Sequence, residues 1–248
     1  MLSTFIRFIV KSPLLRWIRK PLRRIIRAAR IAIVSYEHGD SIKIFALIDS
    51  IKSDVHLNLD DAEAYQICMA VNAVKHIEGD MAEVGVYQGG SASLICEFKR
   101  NKNLHLFDTF EGIPRKCITE KDDKRVEEGV FSADLQNVKK YLRKYPNVFF
   151  YIGVFPETAK HLEDIAFSFV HLDVDTYRTT FDALDFFYPR MNVGGIFISH
   201  DYMTLEGVRK AFVEFFKDKS EPIIELAGTQ CLVVKTQSSN NKPGKQNG

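Results

Sequence analysis

From Leu59 onward the apolar positions alternate between short β-like runs and helical stripes. Asp60 or Asp61 heads a stripe that reaches about Ile77, with Glu63 placed to support its first turn, and Gly79 stops it. Met81–Val86 then reads as a buried strand, Gly89–Arg100 as a helix and Asn103–Phe107 as a second strand. The polar stretch from Asp108 to Ser132 has no period, and a loop of that length inside a compact domain predicts a lid or binding loop. Regularity returns with a helix capped by Asp134 and running to about Tyr145, a strand at Asn147–Gly153, a short helix at Glu157–Asp164 and a strand at Phe167–Asp173. A helix from Thr176 to Arg190, a strand at Ile196–His200, a helix from Leu205 to Lys217 and a hairpin of Ile223–Leu226 with Cys231–Lys235 complete the pattern. Strands alternating with helices predict an α/β fold, a doubly wound, mostly parallel sheet of seven strands.

The first segment differs. Between Met1 and Tyr36 there are nine Lys or Arg and no acid, while the remainder holds 25 basic and 32 acidic residues, so the basicity is confined to one end. Apolar residues there recur at helical spacing, and Pro13 and Pro21 cut the stripe into short helices. Two readings stand: a surface anchor in which Phe5, Phe8, Leu14 and Trp17 enter a membrane interface, or an arm that packs on the domain or on a second subunit of a homodimer. Residues 1–58 are accordingly expected to form a helical arm, 59–236 the catalytic domain and 237–248 a disordered polar tail. The overall charge of +2 suggests no nucleic-acid partner, no apolar run is long enough to span a bilayer, and the four cysteines lack metal-ligand spacing. A cytoplasmic protein, peripheral to the membrane if the arm anchors it, is the expectation.

Chemistry is signalled at three strand ends. Glu83 to Ala92, EVGVYQGGSA, is a glycine-rich strand-to-helix turn in which Gly85, Gly89 and Gly90 permit a tight bend and close approach of a ligand. Its spacing is not the dinucleotide pattern G-x-G-x-x-G, and a carboxylate at Glu83 suits a cationic amino group better than a pyrophosphate. Asp108, about twenty residues later at the end of the second strand, is placed to accept hydrogen bonds from ribose hydroxyls. Asp173 and Asp175 leave the fourth strand and His200 and Asp201 the fifth. Acids converging on one crevice call for a cation or for proton exchange with a substrate, although Asp175 also has the position of a cap for the helix that follows.

Taken together, AEVGVYQGGSA, LFDTFEGIP, the GVFPET turn, LDVDTYRTTFDALDFFYPRMNVGGIFISHDY and the helix containing Val208–Phe216 resemble the macrocin O-methyltransferase family, which modifies sugars of macrolide and aminocoumarin antibiotics. The resemblance covers about two-thirds of the chain. It implies the class I methyltransferase version of the sheet, Rossmann-like, with its final antiparallel hairpin strand, and S-adenosylmethionine as methyl donor. It places Glu83, Gly85, Val86, Tyr87, Gly89, Gly90, Ser91 and Asp173 around the methionine part, Asp108 with Thr109 at the ribose, and Gly153, Val154 and Phe155 near the adenine. It also implies a divalent cation, commonly Mg²⁺, on an acid after the fourth strand and an acidic pair after the fifth; Asp173 and Asp201 match.

Relatives usually carry Asp-Asp where this chain has His200-Asp201. Imidazole is a poor Mg²⁺ ligand, so three outcomes stay open. The site keeps a weaker cation on Asp173 and Asp201, it takes Mn²⁺ or a similar metal with His200 as a ligand, or His200 acts as a base without metal. The expected reaction is methylation of a hydroxyl on a sugar-like small molecule, with Asp173, Asp175 or His200 removing the proton and the loop from Glu111 to Ser132 closing over the site. A nicotinamide-dependent oxidoreductase would need a phosphate-friendly glycine pattern that is missing here. A non-catalytic or membrane-associated module that binds S-adenosylmethionine is the remaining alternative.

Overall fold

The computed structural model describes residues 39–238. The basic segment 1–36, with its readings as membrane anchor or subunit-packing arm, and the tail from 239 onward lie outside the described residues. By compactness the chain divides into Met1–Ile42 and Lys43–Gly248. The described residues belong almost wholly to the second unit.

In chain order the elements are α1 (Gly39–Asp54), α2 (Asp61–Ala73), β1 (Asp80–Val84), α3 (Gly90–Phe98), β2 (Leu104–Asp108), α4 (Leu135–Leu142) and β3 (Val148–Ile152). They continue with β4 (Phe167–Leu172), α5 (Tyr177–Phe187), β5 (Met191–Ser199), α6 (Glu206–Phe216), β6 (Ile224–Glu225) and β7 (Cys231–Val234), and 3₁₀ turns at Arg115–Cys117, Glu157–Leu162 and Tyr188–Arg190 bridge three connections. The seven strands form one sheet in the order β3-β2-β1-β4-β5-β7-β6. Strands β1 to β5 pair in parallel, and β7 enters antiparallel between β5 and β6.

Alternation along the strands builds two cores. Met81, Leu104, Leu106, Phe169, Ile196 and Ile198 point to one face, under α2 and α3. Ala82, Phe107, Val170 and Phe197 point to the other, where Phe187 of α5 and Phe212 of α6 pack against them. Ile44, Ile48 and Ile51 of α1 and Leu57 are buried in the first core, so the packed domain begins ahead of Leu59, where the sequence pattern had started it. This helix carries its apolar residues at a 3-4 spacing and falls inside the stretch expected as a helical arm.

Most local signals act as read. Asp60 caps α2 in a reciprocal box with Glu63, and Asp134 caps α4. Two readings change. Thr176, whose side chain accepts from the Thr179 N–H, caps α5, so Asp175 is released from that role. β5 starts five residues earlier than the apolar run IFISH, because Met191 already pairs with Phe167.

Candidate functional site

The carboxyl ends of the parallel strands open onto a cavity lined by the β1–α3 turn and by residues that follow β2, β3 and β4. The β1–α3 turn forms one wall. Gly85 takes φ +89°, and a Cβ there would stand 1.8 Å from the Asp173 carbonyl oxygen. That glycine is required by the neighbouring strand end before any ligand is considered. Gly89, at φ +84°, faces Val138 and Leu142 of α4 and does not reach the cavity, whereas Gly85, Val86, Tyr87, Gly90 and Ser91 do.

Asp108 holds that turn in place. Its Oδ2 accepts from the N–H groups of Val86 (2.6 Å) and Tyr87 (2.8 Å), and its Oδ1 accepts from Phe110 N–H at 2.7 Å. The carboxylate lines the cavity as expected of a ribose-facing acid, but three of its roughly four lone-pair sites are engaged by backbone. Thr109 lines the cavity beside it, and its hydroxyl donates to the Gly112 carbonyl. Gly153, Val154 and Phe155 form the opposite wall, where the Phe155 ring packs edge-on against Phe107 with centroids 5.3 Å apart.

Glu83 lies elsewhere than the strand pattern suggested. It is fully buried behind the wall, its Oε1 is 2.7 Å from His171 Nδ1, and its Oε2 has no hydrogen-bond partner. Burial pushes its pKa up against the lowering effect of His171. One residue decides this: inward and outward side chains alternate, and Val84 is the neighbour that reaches the cavity.

The third signal resolves into a compact cluster. The ladder continues past both strand ends, with Asp173 N–H donating to Val84 O and His200 N–H to Leu172 O, each at 2.9 Å, so these two residues emerge side by side. His200 Nδ1 is 3.1 Å from Asp173 Oδ1 and 2.8 Å from Asp201 Oδ2. Its Nε2 is 3.5 Å from Glu63 Oε2. Asp175 and Asp201 adopt φ of +57° and +58°, a left-handed conformation that Asp tolerates at modest cost and that clusters at functional sites.

Burial alone would depress the His200 pKa, but the carboxylates of Asp173, Asp201 and Glu63 outweigh it and hold the value well above the ordinary histidine range. Burial and the charges of Asp173 and Asp201 push Asp175 well up. Asp201 is held low, against burial, by His200 and Thr204. Glu63 is brought down to about 2: burial would raise it, and hydrogen bonds from His200, the Asp60 N–H and Thr229 prevail. One ligand atom from each of Asp173, His200 and Asp201 lies within 4.8 Å of the others, a grouping able to hold a metal ion. Asp173 and Asp175 line the cavity, whereas His200 and Asp201 stand beside Asp173 and are not among the lining residues.

The polar loop predicted as a lid is a seated wall. Ile113, Pro114, Cys117, Val130 and Phe131 line the cavity. The loop's middle is clasped from outside: Asp122 accepts from the Tyr177 N–H, Lys121 lies 3.8 Å from the Tyr177 ring centroid, and Arg125 donates to the Thr204 carbonyl at 2.7 Å. His56, Asn58 and Leu59 also line the cavity and had no motif to announce them. Glu63 had one, as a helix-capping residue, and nothing in the chain order connects it with His200.

Residues 61–231 match the family described as Macrocin-O-methyltransferase (TylF). The chain belongs to the macrocin O-methyltransferase family. It is therefore an S-adenosylmethionine-dependent O-methyltransferase. The chain is 28% identical over 191 residues, 70% of this chain and 72% of the relative, to the 8-demethyl-8-(2,3-dimethoxy-alpha-L-rhamnosyl)-tetracenomycin-C 4'-O-methyltransferase of Streptomyces olivaceus. It is 27% identical over 175 residues, 60% of this chain and 66% of the relative, to the mycinamicin III 3''-O-methyltransferase of Micromonospora griseorubida. The solved structure of the O-methyltransferase NovP superposes with a TM-score of 0.63 at 24% identity, covering 74% of this chain and 83% of that one, which shows the shared fold. Within this macrocin-type fold no described helix is long and apolar enough to cross a membrane.

Proposed function

We propose that this enzyme methylates a hydroxyl group of a sugar or sugar-bearing small molecule, assisted by a divalent cation held by Asp173, His200 and Asp201. The observation that carries the reading is the convergence of two carboxylate oxygens and one imidazole nitrogen around Asp173, which lines the cavity beside the glycine-rich turn. Relatives whose names specify a rhamnosyl-tetracenomycin and mycinamicin III support a sugar-type acceptor.

The donor set fits a divalent cation but is not the all-oxygen set that Mg²⁺ prefers. Carboxylates suit Mg²⁺ and Mn²⁺ alike, whereas an imidazole favours the transition metals, so Mn²⁺ or a similar ion fits better than Mg²⁺. When bound there, such a cation supplies positive charge that lowers the proton affinity of a nearby hydroxyl. When bound in the cavity, S-adenosylmethionine supplies a methyl group already activated on sulfur.

The protein's own share is alignment and proton removal. Gly85, Gly90 and Ser91 cradle the amino-acid end of the donor, Asp108 and Thr109 flank its ribose, and Gly153–Phe155 receive its base. His200 is unsuited to act as the base: both of its ring nitrogens face carboxylates. Asp175 faces the cavity one residue away from the ligand cluster and takes the acceptor's proton.

The test is methyl transfer from S-adenosylmethionine to a panel of rhamnose- and deoxyhexose-bearing acceptors, run after chelation and after adding back Mn²⁺ or Mg²⁺. Transfer to a sugar hydroxyl that is lost on chelation and restored better by Mn²⁺ is the expected result. Full turnover in chelator would overturn the cation assignment, and failure of every sugar acceptor would overturn the substrate class.

A further inference from the structure

The loop that walls the cavity is held from outside by the two helices that follow the strand ends bearing Asp173 and Asp201. Asp122 accepts from the Tyr177 N–H in the first turn of α5. A Cβ added at Gly207, in the first turn of α6, would stand 2.3 Å from Asp122 Oδ1, so that glycine leaves room for the carboxylate. A carboxylate beside two helix N-termini is well placed, because the free N–H groups there carry partial positive charge. Lys121 adds a second anchor. Its Nζ donates to Glu214 of α6 at 2.8 Å, and the Tyr177 hydroxyl donates to the same carboxylate at 2.6 Å. The middle of the loop thus seats on α5 and α6 at once.

Arg125 carries that seat to the cation cluster. Asp123 fixes its guanidinium, with Nε 2.9 Å from Oδ1 and Nη2 2.9 Å from Oδ2, and Nη2 also donates to the Thr204 carbonyl at 2.7 Å. Thr204 in turn donates its hydroxyl to Asp201 Oδ1 at 2.6 Å. The backbone N–H groups of Thr204 and Leu205 return to the Asp201 carbonyl at 3.1 and 2.8 Å, so residues 201–205 form one tight turn. The other carboxylate oxygen of Asp201, Oδ2, stands 2.8 Å from His200 Nδ1. A carboxylate engaged at both oxygens is held against rotation, and Thr204 supplies one of the two holds.

We propose that Thr204 is the positioning residue for Asp201 in the cation cluster and that Arg125 keeps Thr204 in that role, so that the seated loop and a bound cation support each other. The inference rests on the cation reading of the preceding subsection and adds the residues that aim one of its ligands. Ligating carboxylates are commonly hydrogen-bonded from behind, and removing such a partner typically weakens metal affinity 10–100-fold. Thr204 is exposed, where water replaces part of a lost hydroxyl, so its share falls at the low end of that range. Coupling between two sites is reciprocal: whatever factor loop seating adds to cation affinity, the cation returns to loop seating. Neither Thr204 nor Arg125 lines the cavity, which separates this role from binding of the methyl donor.

The experiment is Mn²⁺ titration of the full chain in the presence of S-adenosylhomocysteine, followed by electron paramagnetic resonance of free Mn²⁺, for wild type, Thr204→Val, Thr204→Ser and Arg125→Gln. The expected result is a loss of about tenfold in Mn²⁺ affinity for Thr204→Val, recovery close to wild type in Thr204→Ser, and a loss of about threefold in Arg125→Gln. S-adenosylhomocysteine affinity, measured by calorimetry, should stay within about twofold of wild type throughout. Unchanged Mn²⁺ affinity in Thr204→Val overturns the proposal. So does a loss that serine fails to recover, or an equal loss of S-adenosylhomocysteine affinity, either of which marks a merely structural role. A measurement on wild type covers the case of a variant that does not fold: Mn²⁺ should slow amide hydrogen exchange in peptides spanning residues 119–126 by about threefold or more. Exchange there that ignores Mn²⁺ overturns the proposal. If wild type binds no Mn²⁺, the cation reading falls and takes this inference with it; if wild type binds Mn²⁺ and the variants match it, the inference falls alone.

Discussion

Two buried glutamate–histidine pairs lie within this one domain, and they are used in opposite ways. Glu83 and His171 pair at 2.7 Å inside the sheet, both side chains fully buried, with Glu83 Oε2 and His171 Nε2 left without partners. Glu63 and His200 are farther apart, at 3.5 Å, yet every other direction around Glu63 carries a donor and two further carboxylates face His200. Burial is the largest influence on both glutamates, and it wins at Glu83, whose pKa is raised, but loses at Glu63, whose pKa falls to about 2. At Glu63 the hydrogen bonds from His200, the Asp60 N–H and Thr229 prevail over burial, whereas at the fully buried Glu83 the influence of His171 does not. A strongly anchored anion can orient a neighbour's chemistry, while a poorly satisfied one only fills space in the sheet.

The hardest break of this contrast removes a carboxylate from beside His200. Asp201→Ala leaves His200 with Asp173 and Glu63 alone and dismantles the cation cluster. Methyl transfer should drop by about 10³-fold or more, while S-adenosylhomocysteine affinity measured by calorimetry stays within a few-fold. Retained turnover would show that this cluster has no part in the reaction. Next in size is Asp175→Asn, which keeps a hydrogen-bond donor toward Asp201 and removes the base. The expected fall in kcat is about 10²-fold or more with KM little changed, measured under saturating donor. An unchanged kcat would return the proton to Asp173.

The acid limb of stability separates the two pairs directly. Glu63 has its folded pKa brought down from 4.5 to about 2. A depressed carboxyl contributes stability that is present above its unfolded pKa and is lost as pH falls through the folded value. In cation-free protein, wild type should therefore exceed Glu63→Gln in stability near pH 6, by roughly 3 kcal/mol at most at 1.36 kcal/mol per pKa unit. That margin should shrink steadily as pH falls below about 4.5. Urea midpoints of the two proteins between pH 6 and pH 3 check it, and a margin independent of pH would show that Glu63 acts through shape and not charge.

How far these features could be read from the chain follows from their range. The mostly parallel seven-stranded sheet was legible because each strand carries its own apolar run and most crossovers their own helix. Gly85, Asp108 and Asp173 line the cavity as strand-end residues should, because position at a strand end sets position around the crevice. What stayed hidden is nonlocal. Glu63 shows itself only as a capping residue, and its approach to His200 appears when α2 is laid beside the end of β5. Helix α1 was read as part of the helical arm, because the regular alternation that marks the packed domain begins only at Leu59. Glu83 was misplaced by a single step of strand pleat, which the motif EVGV cannot resolve because Val84 and Glu83 point in opposite directions.

That misplacement has its own test, with the smallest effect of the four. If Glu83 met the cationic end of the methyl donor, as its place in the motif suggested, Glu83→Gln would remove a charge contact and weaken S-adenosylhomocysteine binding by a factor of about ten or more. In the observed arrangement the side chain faces His171 behind the cavity wall, and the substitution keeps its shape. Binding should then stay within about threefold, and the change should appear in stability alone. The sign is opposite to that at Glu63. A raised carboxyl contributes stability that is fully present below its unfolded pKa and is lost as pH rises through the folded value. Wild type should therefore lose ground to Glu83→Gln in urea unfolding as pH rises above the ordinary carboxylate range. A ten-fold loss of S-adenosylhomocysteine affinity with no such trend would return Glu83 to the cavity and make the two glutamate–histidine pairs alike in serving the donor site.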